Sequence, residues 1–284
     1  MRRSTPRLSA GLFALASFLA SCGGCGCSKG EAPARGAAAG AEKAAPGAAP
    51  SPAARVYQPS PASDATIAGR VRLDGDPPKM PAVIFDADPV CSGLHQGAKL
   101  VREEVVVNGN GALRNVLVYA KASSKAFEGT KFETPKSAVL LNQEGCTYKP
   151  HVLGVMVDQP ITIRNSDETS HNIKCLPKKN TGFNLSQTKK GLEETRKFDT
   201  EEVAPPIRLE CNVHPWMNGF CGVFSHPFFA VTGEDGTYTI AGLPPGEYEI
   251  VAWQESPKLD GPKTATVTVG PKESKTLDFT FKVK

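Results

Sequence analysis

From about residue 63 the chain consists of short runs in which apolar and polar positions alternate. No stretch holds the 3.6-residue period of an amphipathic helix. A-T-I-A-G-R-V-R-L-D-G (65–75) reads as a strand and a turn, and E-E-V-V-V-N-G-N-G (103–111) as a strand entering an Asn-Gly turn. L-R-N-V-L-V-Y-A-K (113–121) follows as a third strand. I-T-I-R-N (161–165) and P-P-I-R-L-E (205–210) alternate in the same way, as do Tyr238, Ile240, Tyr248 and Ile250. The pattern predicts an all-β protein made of β-sandwich modules, the first a small one over residues 63–135.

The start of the chain is of a different kind. Residues 1–21 join a basic beginning (Arg2, Arg3, Arg7) to an apolar core from Gly11 to Ala20. That core is far short of the ~20 residues a membrane span needs, so it predicts an export signal. Its end, L-A-S-C (19–22), resembles the bacterial lipobox. The resemblance implies cleavage before Cys22, lipidation of that cysteine and a membrane anchor. Gly23 then favours the periplasmic face of an outer membrane, or the cell surface. Residues 22–62 are dominated by Ala, Gly and Pro and read as a disordered tether, whose ends as a coil lie roughly 35 Å apart.

Composition adds two restrictions. The formal net charge of +4 owes three charges to the arginines of the export signal, which leaves the rest near neutral. No stripe of Lys and Arg with interleaved aromatics is present, so no nucleic-acid partner is implied. The eight cysteines are Cys22, Cys25, Cys27, Cys91, Cys146, Cys175, Cys211 and Cys221. Five lie beyond the tether, an odd number. If one holds a metal, four remain for two disulfides in an oxidising compartment. Cys91 and Cys146 are candidates for one bridge, with pairing not deducible from sequence.

The chemistry is concentrated in C-N-V-H-P-W-M (211–217), with N-S-D-E-T-S-H-N (165–172) upstream. Cys211, His214 and Met217 stand at i, i+3 and i+6, spacings that let one short loop bring three donors to a point. Pro215 stiffens that loop. His171 comes from a separate segment after a strand. Two imidazoles, a thiolate and a weak thioether are the donor set of blue-copper centres. Zinc fits less well, because Met is a poor zinc ligand.

At these residues the chain resembles the cupredoxin family. V-L-L-N (139–142), Y-K-P-H-V-L-G-V-M-V-D-Q-P-I-T-I-R-N (148–165) and the C-x-x-H-P-x-M loop carry the resemblance, over about 136–226, and the loop is like that of amicyanin. It implies a Greek-key β-sandwich holding one type 1 copper through His171, Cys211, His214 and Met217. Asn172 would tie the two ligand loops together. In the family pattern Cys175 and Cys221 leave the metal pole on strands, one from each ligand segment, which implies adjacency and a second disulfide. Residues 176–205 depart from the family in being long and polar. The stretch from Gly233 to Glu255, with D-G-x-Y-x-I-x-x-L-P-P-G-x-Y-x-I, resembles the carboxypeptidase-regulatory, transthyretin-like sandwiches. It implies a non-catalytic module over 227–284.

The expected function is one-electron transfer at the cell envelope with a redox partner protein, a cytochrome or an oxidoreductase, and no enzymatic activity. His214 is expected as the partly exposed ligand through which electrons pass. Trp216 is either part of an apolar docking rim or packing beneath the loop. Copper storage or delivery and non-redox surface binding are the alternatives. His95, His151 and His226 are read as solvated or structural before any ligand role.

Overall fold

The computed structural model describes residues 55–85, 88–96, 98 and 100–284. Cys22 and its expected lipid, Cys25, Cys27, the export signal and most of the tether lie outside the described residues. The architecture is all-β, as the alternation predicts, with one short α-helix, Pro89–Leu94, among the described residues. No helix among them is long and apolar enough to cross a membrane.

An inner sandwich runs from Val139 to Phe224. One sheet orders the strands Glu193–Arg196, Ile161–Asn165, Val139–Gln143 and Tyr148–Lys149. The other orders Phe183–Gln187, His171–Leu176, Glu202–Glu210, Asn218–Phe224 and Val152–Met156. Ile161–Asn165 buries every second residue, as a half-covered strand must. Its Ile161 and Ile163 meet Leu141, Leu153, Ile173 and Leu209 in the core between the sheets. The long polar stretch 176–205 supplies an edge strand to each sheet. Its first turn is held by Glu202, whose carboxylate accepts from the backbone N–H groups of Lys178, Lys179 and Asn180.

The remaining strands form an outer sandwich. The sequence divides them between modules 63–135 and 227–284, but the two stretches are woven into the same sheets. Leu117–Ala120 pairs with both Phe229–Val231 and Gly246–Trp253. Ala65–Asp74 pairs with Thr237–Leu243, Ser274–Thr276 and Phe279–Lys282. Ile67, Val71, Val118, Tyr238, Ile240, Tyr248, Ile250 and Phe281 share one core. The inner sandwich is thus an insertion between the two halves of the outer one. The tether also ends earlier than its composition implies. Arg55–Val56 pairs with Thr130–Lys131, and the Tyr57 hydroxyl donates to Gly242 O at 2.6 Å.

A third, smaller cluster joins the sandwiches: Leu117, Tyr119, Val251 and Trp253 of the outer one meet Val152 and Phe224 of the inner one. Beside it, His226 is buried among Phe127, Phe132, Phe224 and Phe228. Its Nδ1 accepts from the Phe228 N–H, while Nε2 has no partner.

Burial takes the His226 imidazole down from 6.5 to about 4. The unfolded chain therefore gains a proton below about 6.5 that the native chain refuses, so stability falls as pH drops through this window. We predict that wild type loses about 2–3 kcal/mol more than His226→Gln between pH ~7 and pH ~4.5, read by urea unfolding. Equal acid losses in the two proteins would remove this assignment.

Candidate metal centre

Three polar side chains converge at one end of the inner sandwich. His171 opens the strand His171–Leu176, and Cys211 directly follows Glu202–Glu210, its antiparallel neighbour. The chain then turns back through His214 into Asn218–Phe224. Two backbone bonds close this turn: Cys211 N–H to Met217 O at 3.1 Å and Met217 N–H to His214 O at 2.9 Å. His171, Cys211 and His214 therefore share one point because three neighbouring strand ends do.

The Nδ1 atoms of His171 and His214 lie 2.9 Å apart, and Cys211 Sγ stands 3.8 Å from His214 Nδ1. One donor atom from each of the three lies within 4.8 Å of the others. His171 is 0% exposed, His214 1%, Met217 2% and Cys211 5%. Met217 packs in the same apolar cluster as Cys211.

Each buried polar atom has a counterpart. His171 Nε2 lies 2.9 Å from Asp167 Oδ2, and His214 Nε2 lies 3.0 Å from Asp88 Oδ2. Both outer nitrogens are thus turned to carboxylates, which leaves both Nδ1 atoms facing the thiol. Asn172 Oδ1 accepts from the Asn212 N–H at 2.6 Å and lies 3.3 Å from Cys211 Sγ. The His214 N–H also points at that sulfur, at 3.4 Å.

The electrostatics follow these contacts. Burial raises the Cys211 thiol, but hydrogen bonds from His171, His214 and the neighbouring backbone outweigh it and bring it to about 6. Burial acts likewise on Asp88, but the Thr169 hydroxyl, the N–H groups of Cys91 and Val90, and His214 hold its carboxyl at about 2. Asp167 is also held low, against burial, by His171 and by the N–H groups of Cys146 and Gly145. His171 is raised despite burial, by Asp167 and Cys211.

Several expectations are corrected. His214 is not a partly exposed ligand: its outer edge faces Asp88 and Cys91 Sγ, the latter at 3.6 Å. Trp216 is packing. Its Nε1–H donates to Cys146 O at 3.0 Å, and its ring meets Phe85 edge-on at 5.1 Å. Cys91 and Cys146 are bridged, with Cα atoms 5.8 Å apart. Cys175 and Cys221 are not: both are free, buried thiols. Cys175 pairs with Leu209 and Cys221 with Ile207, so the strand Glu202–Glu210 stands between them. Two strand spacings are about 9.5 Å, beyond the roughly 7 Å a disulfide allows. Burial pushes Cys175 up to about 12 and raises Cys221 as well.

His151 lies outside the donor cluster, held between Glu255 and Glu103 of the outer sandwich. Neither Asp88 nor Asp167 is among the site residues expected from the sequence. The spacing of Asp167, one helical turn's length before His171, was a usable signal. Asp88 had only the Asp-Pro start of a short helix.

No protein-family model matches this chain, and no curated protein does. Solved structures do. A copper-containing nitrite reductase from Thermus scotoductus SA-01 is 17% identical over 42% of this chain and 25% of that one, with a TM-score of 0.29. This chain therefore spans about a quarter of that reductase. A purple cupredoxin from Nitrosopumilus maritimus is 22% identical, covers 31% of this chain and 99% of that one, and scores 0.26. An oxidised amicyanin variant is 19% identical over 32% of this chain and 87% of that one, scoring 0.28. These are likenesses of fold over a minor part of the chain.

The bridge assignment has a direct check. Peptide mapping of the non-reduced, alkylated chain should recover a linked 91–146 pair, with Cys175, Cys211 and Cys221 each alkylated. A linked 175–221 peptide would contradict the strand order.

Proposed function

We propose that the chain is an envelope-anchored protein holding one copper ion through His171, Cys211, His214 and Met217 and passing single electrons. The observation that carries this is the convergence of two imidazole Nδ1 atoms on a thiol that its surroundings favour as thiolate. The donors fit such an ion. One nitrogen from each ring and the sulfur lie within 4.8 Å of one another, close enough for a single ion to be held by all three. A His₂Cys set with a thioether is matched by copper among the common metals. When bound, the ion supplies a one-electron couple between Cu(I) and Cu(II).

The chain's own residues do the rest. Asp167 and Asp88 hold the outer imidazole nitrogens, so neither ring is free to turn. Asn172 and the His214 N–H fix Cys211 Sγ. A frame held this way changes little with the charge at its centre, which keeps reorganisation small. Asn172 joins the two ligand segments in this frame. The outer sandwich, with its transthyretin-like motif, is read as a packing module with no catalytic step. The electron partner, a cytochrome or other oxidoreductase, would dock weakly over a small interface, as redox partners do.

A second reading, copper storage or delivery, is favoured by one observation: His214, 1% exposed, offers no edge at the surface for a partner to touch. A slow copper exchange with no accessible couple would select it over electron transfer.

The test is colour. The full chain loaded with Cu(II) should show an intense thiolate-to-copper band that Cys211→Ser abolishes. Met217→Gln should keep the copper and lower the potential, since an amide oxygen, a harder donor than a thioether, would favour Cu(II). A folded chain that stays colourless with excess Cu(II) defeats the proposal.

Anchoring is tested separately. Cys22→Ala should move the protein from the membrane fraction to the soluble fraction of the producing cells. Retention in the membrane would refute lipid attachment at Cys22.

A further inference from the structure

The edge of His214 that a partner or solvent would reach is covered by a segment from outside the inner sandwich. Asp88 caps the helix Pro89–Leu94, its Oδ1 accepting from the N–H groups of Val90 and Cys91. Its Oδ2 faces outward from the helix, 3.0 Å from His214 Nε2 and 2.7 Å from the Thr169 hydroxyl that donates to it. One carboxylate thus ties the helix start to the ligand ring and to the loop before His171.

The helix has few other holds. Cys91 is its one buried residue, and Leu94 is 53% exposed. A segment with so little buried apolar surface opens locally at low cost unless something pins it. The pin is the Cys91–Cys146 disulfide. Cys91 Sγ lies 3.6 Å from His214 Nε2, so the bridge sits against the covered edge itself. At its other end Cys146 belongs to the turn whose N–H groups clasp Asp167, the carboxylate that faces His171. The bridge therefore connects the shells of both imidazoles. Other contacts among the described residues are the Phe85 ring on Trp216 and the His95 ring on Phe85, with His95 Nε2 2.7 Å from Gly145 O.

We propose that the helix Pro89–Leu94 is a lid over the His214 edge of the metal site, latched by the Cys91–Cys146 disulfide, and that a dithiol reductant opens it. Both half-cystines are 0% exposed, so the dithiol reaches the bond only in rare local openings of the segment, and reduction then makes the open state lasting. The step is a thiol–disulfide exchange. The Cys91–Cys146 bond breaks, both sulfurs become thiols with two electrons and two protons from the dithiol, and the dithiol becomes a disulfide. With the latch closed, the site holds its contents and shields the imidazole. With it open, Asp88, the Phe85 ring on Trp216 and the His95–Gly145 hydrogen bond remain as holds. The proposal deepens the copper reading by assigning regulation to the same site, but its test needs no metal.

The full chain, copper-free, is treated with diethylpyrocarbonate, and histidine modification is mapped by mass spectrometry. Three samples are compared: the oxidised protein, the protein reduced with dithiothreitol and freed of it, and a Cys91→Ser/Cys146→Ser variant. His214 should be protected in the first and react at least tenfold faster in the other two. His151 and His226 should stay protected throughout. The proposal is overturned if His214 remains equally protected in the reduced and double-variant proteins. It is also overturned if His151 and His226 become reactive along with His214 in both, because the bridge would then hold the whole fold. If only the double variant loses its protection globally, the reduced wild type decides. A chain that passes this test but binds no copper would defeat the copper reading and leave the lid standing.

Discussion

Two imidazoles and a thiol are buried at a single point, and each brings polar atoms that water cannot reach. A buried polar group without a partner is costly, so the surrounding chain has to answer every one of them. The answers come from four distinct segments. The turn at 145–146 orients Asp167 toward His171, and the start of the short helix brings Asp88 to His214. Asn172 and the backbone at 212–214 surround the sulfur. Much of the local hydrogen bonding follows from this one demand.

The same demand explains the pull on the thiol. Burial alone leaves a cysteine neutral, as at Cys175 and Cys221, where nothing opposes it. Cys211 is buried almost as well, yet donors face it from several directions and its thiol falls to about 6. Three free cysteines in one core thus divide into two inert ones and one suited to bind metal.

What could be read from the sequence was local. Alternation marked the strands because side-chain direction in a strand has period two, and it placed Ile161–Asn165 and Thr237–Leu243 correctly. Cys211, His214 and Met217 were legible as a candidate set because they lie on one loop. What escaped was set by pairing between distant segments. Asp88 and His214 are 126 positions apart. The family resemblance implied that Cys175 and Cys221 are adjacent, but the strand order places Glu202–Glu210 between them. The interleaving of 65–120 with 229–282 was hidden for the same reason, since each half alternates well on its own.

That interleaving bears on the order in which the strands can pair. Ala65–Asp74 lies at the middle of its sheet, yet three of its partner strands, Thr237–Leu243, Ser274–Thr276 and Phe279–Lys282, follow the whole inner sandwich along the chain. The inner sandwich has all its strands between 139 and 224 and can close before those partners appear. Until then the early strand presents unpaired backbone and a bare apolar face, the condition in which edges recruit other chains. The exposure this topology creates therefore falls on residues 65–74, in the outer sandwich, and not on the end of the inner sandwich where His171, Cys211 and His214 meet.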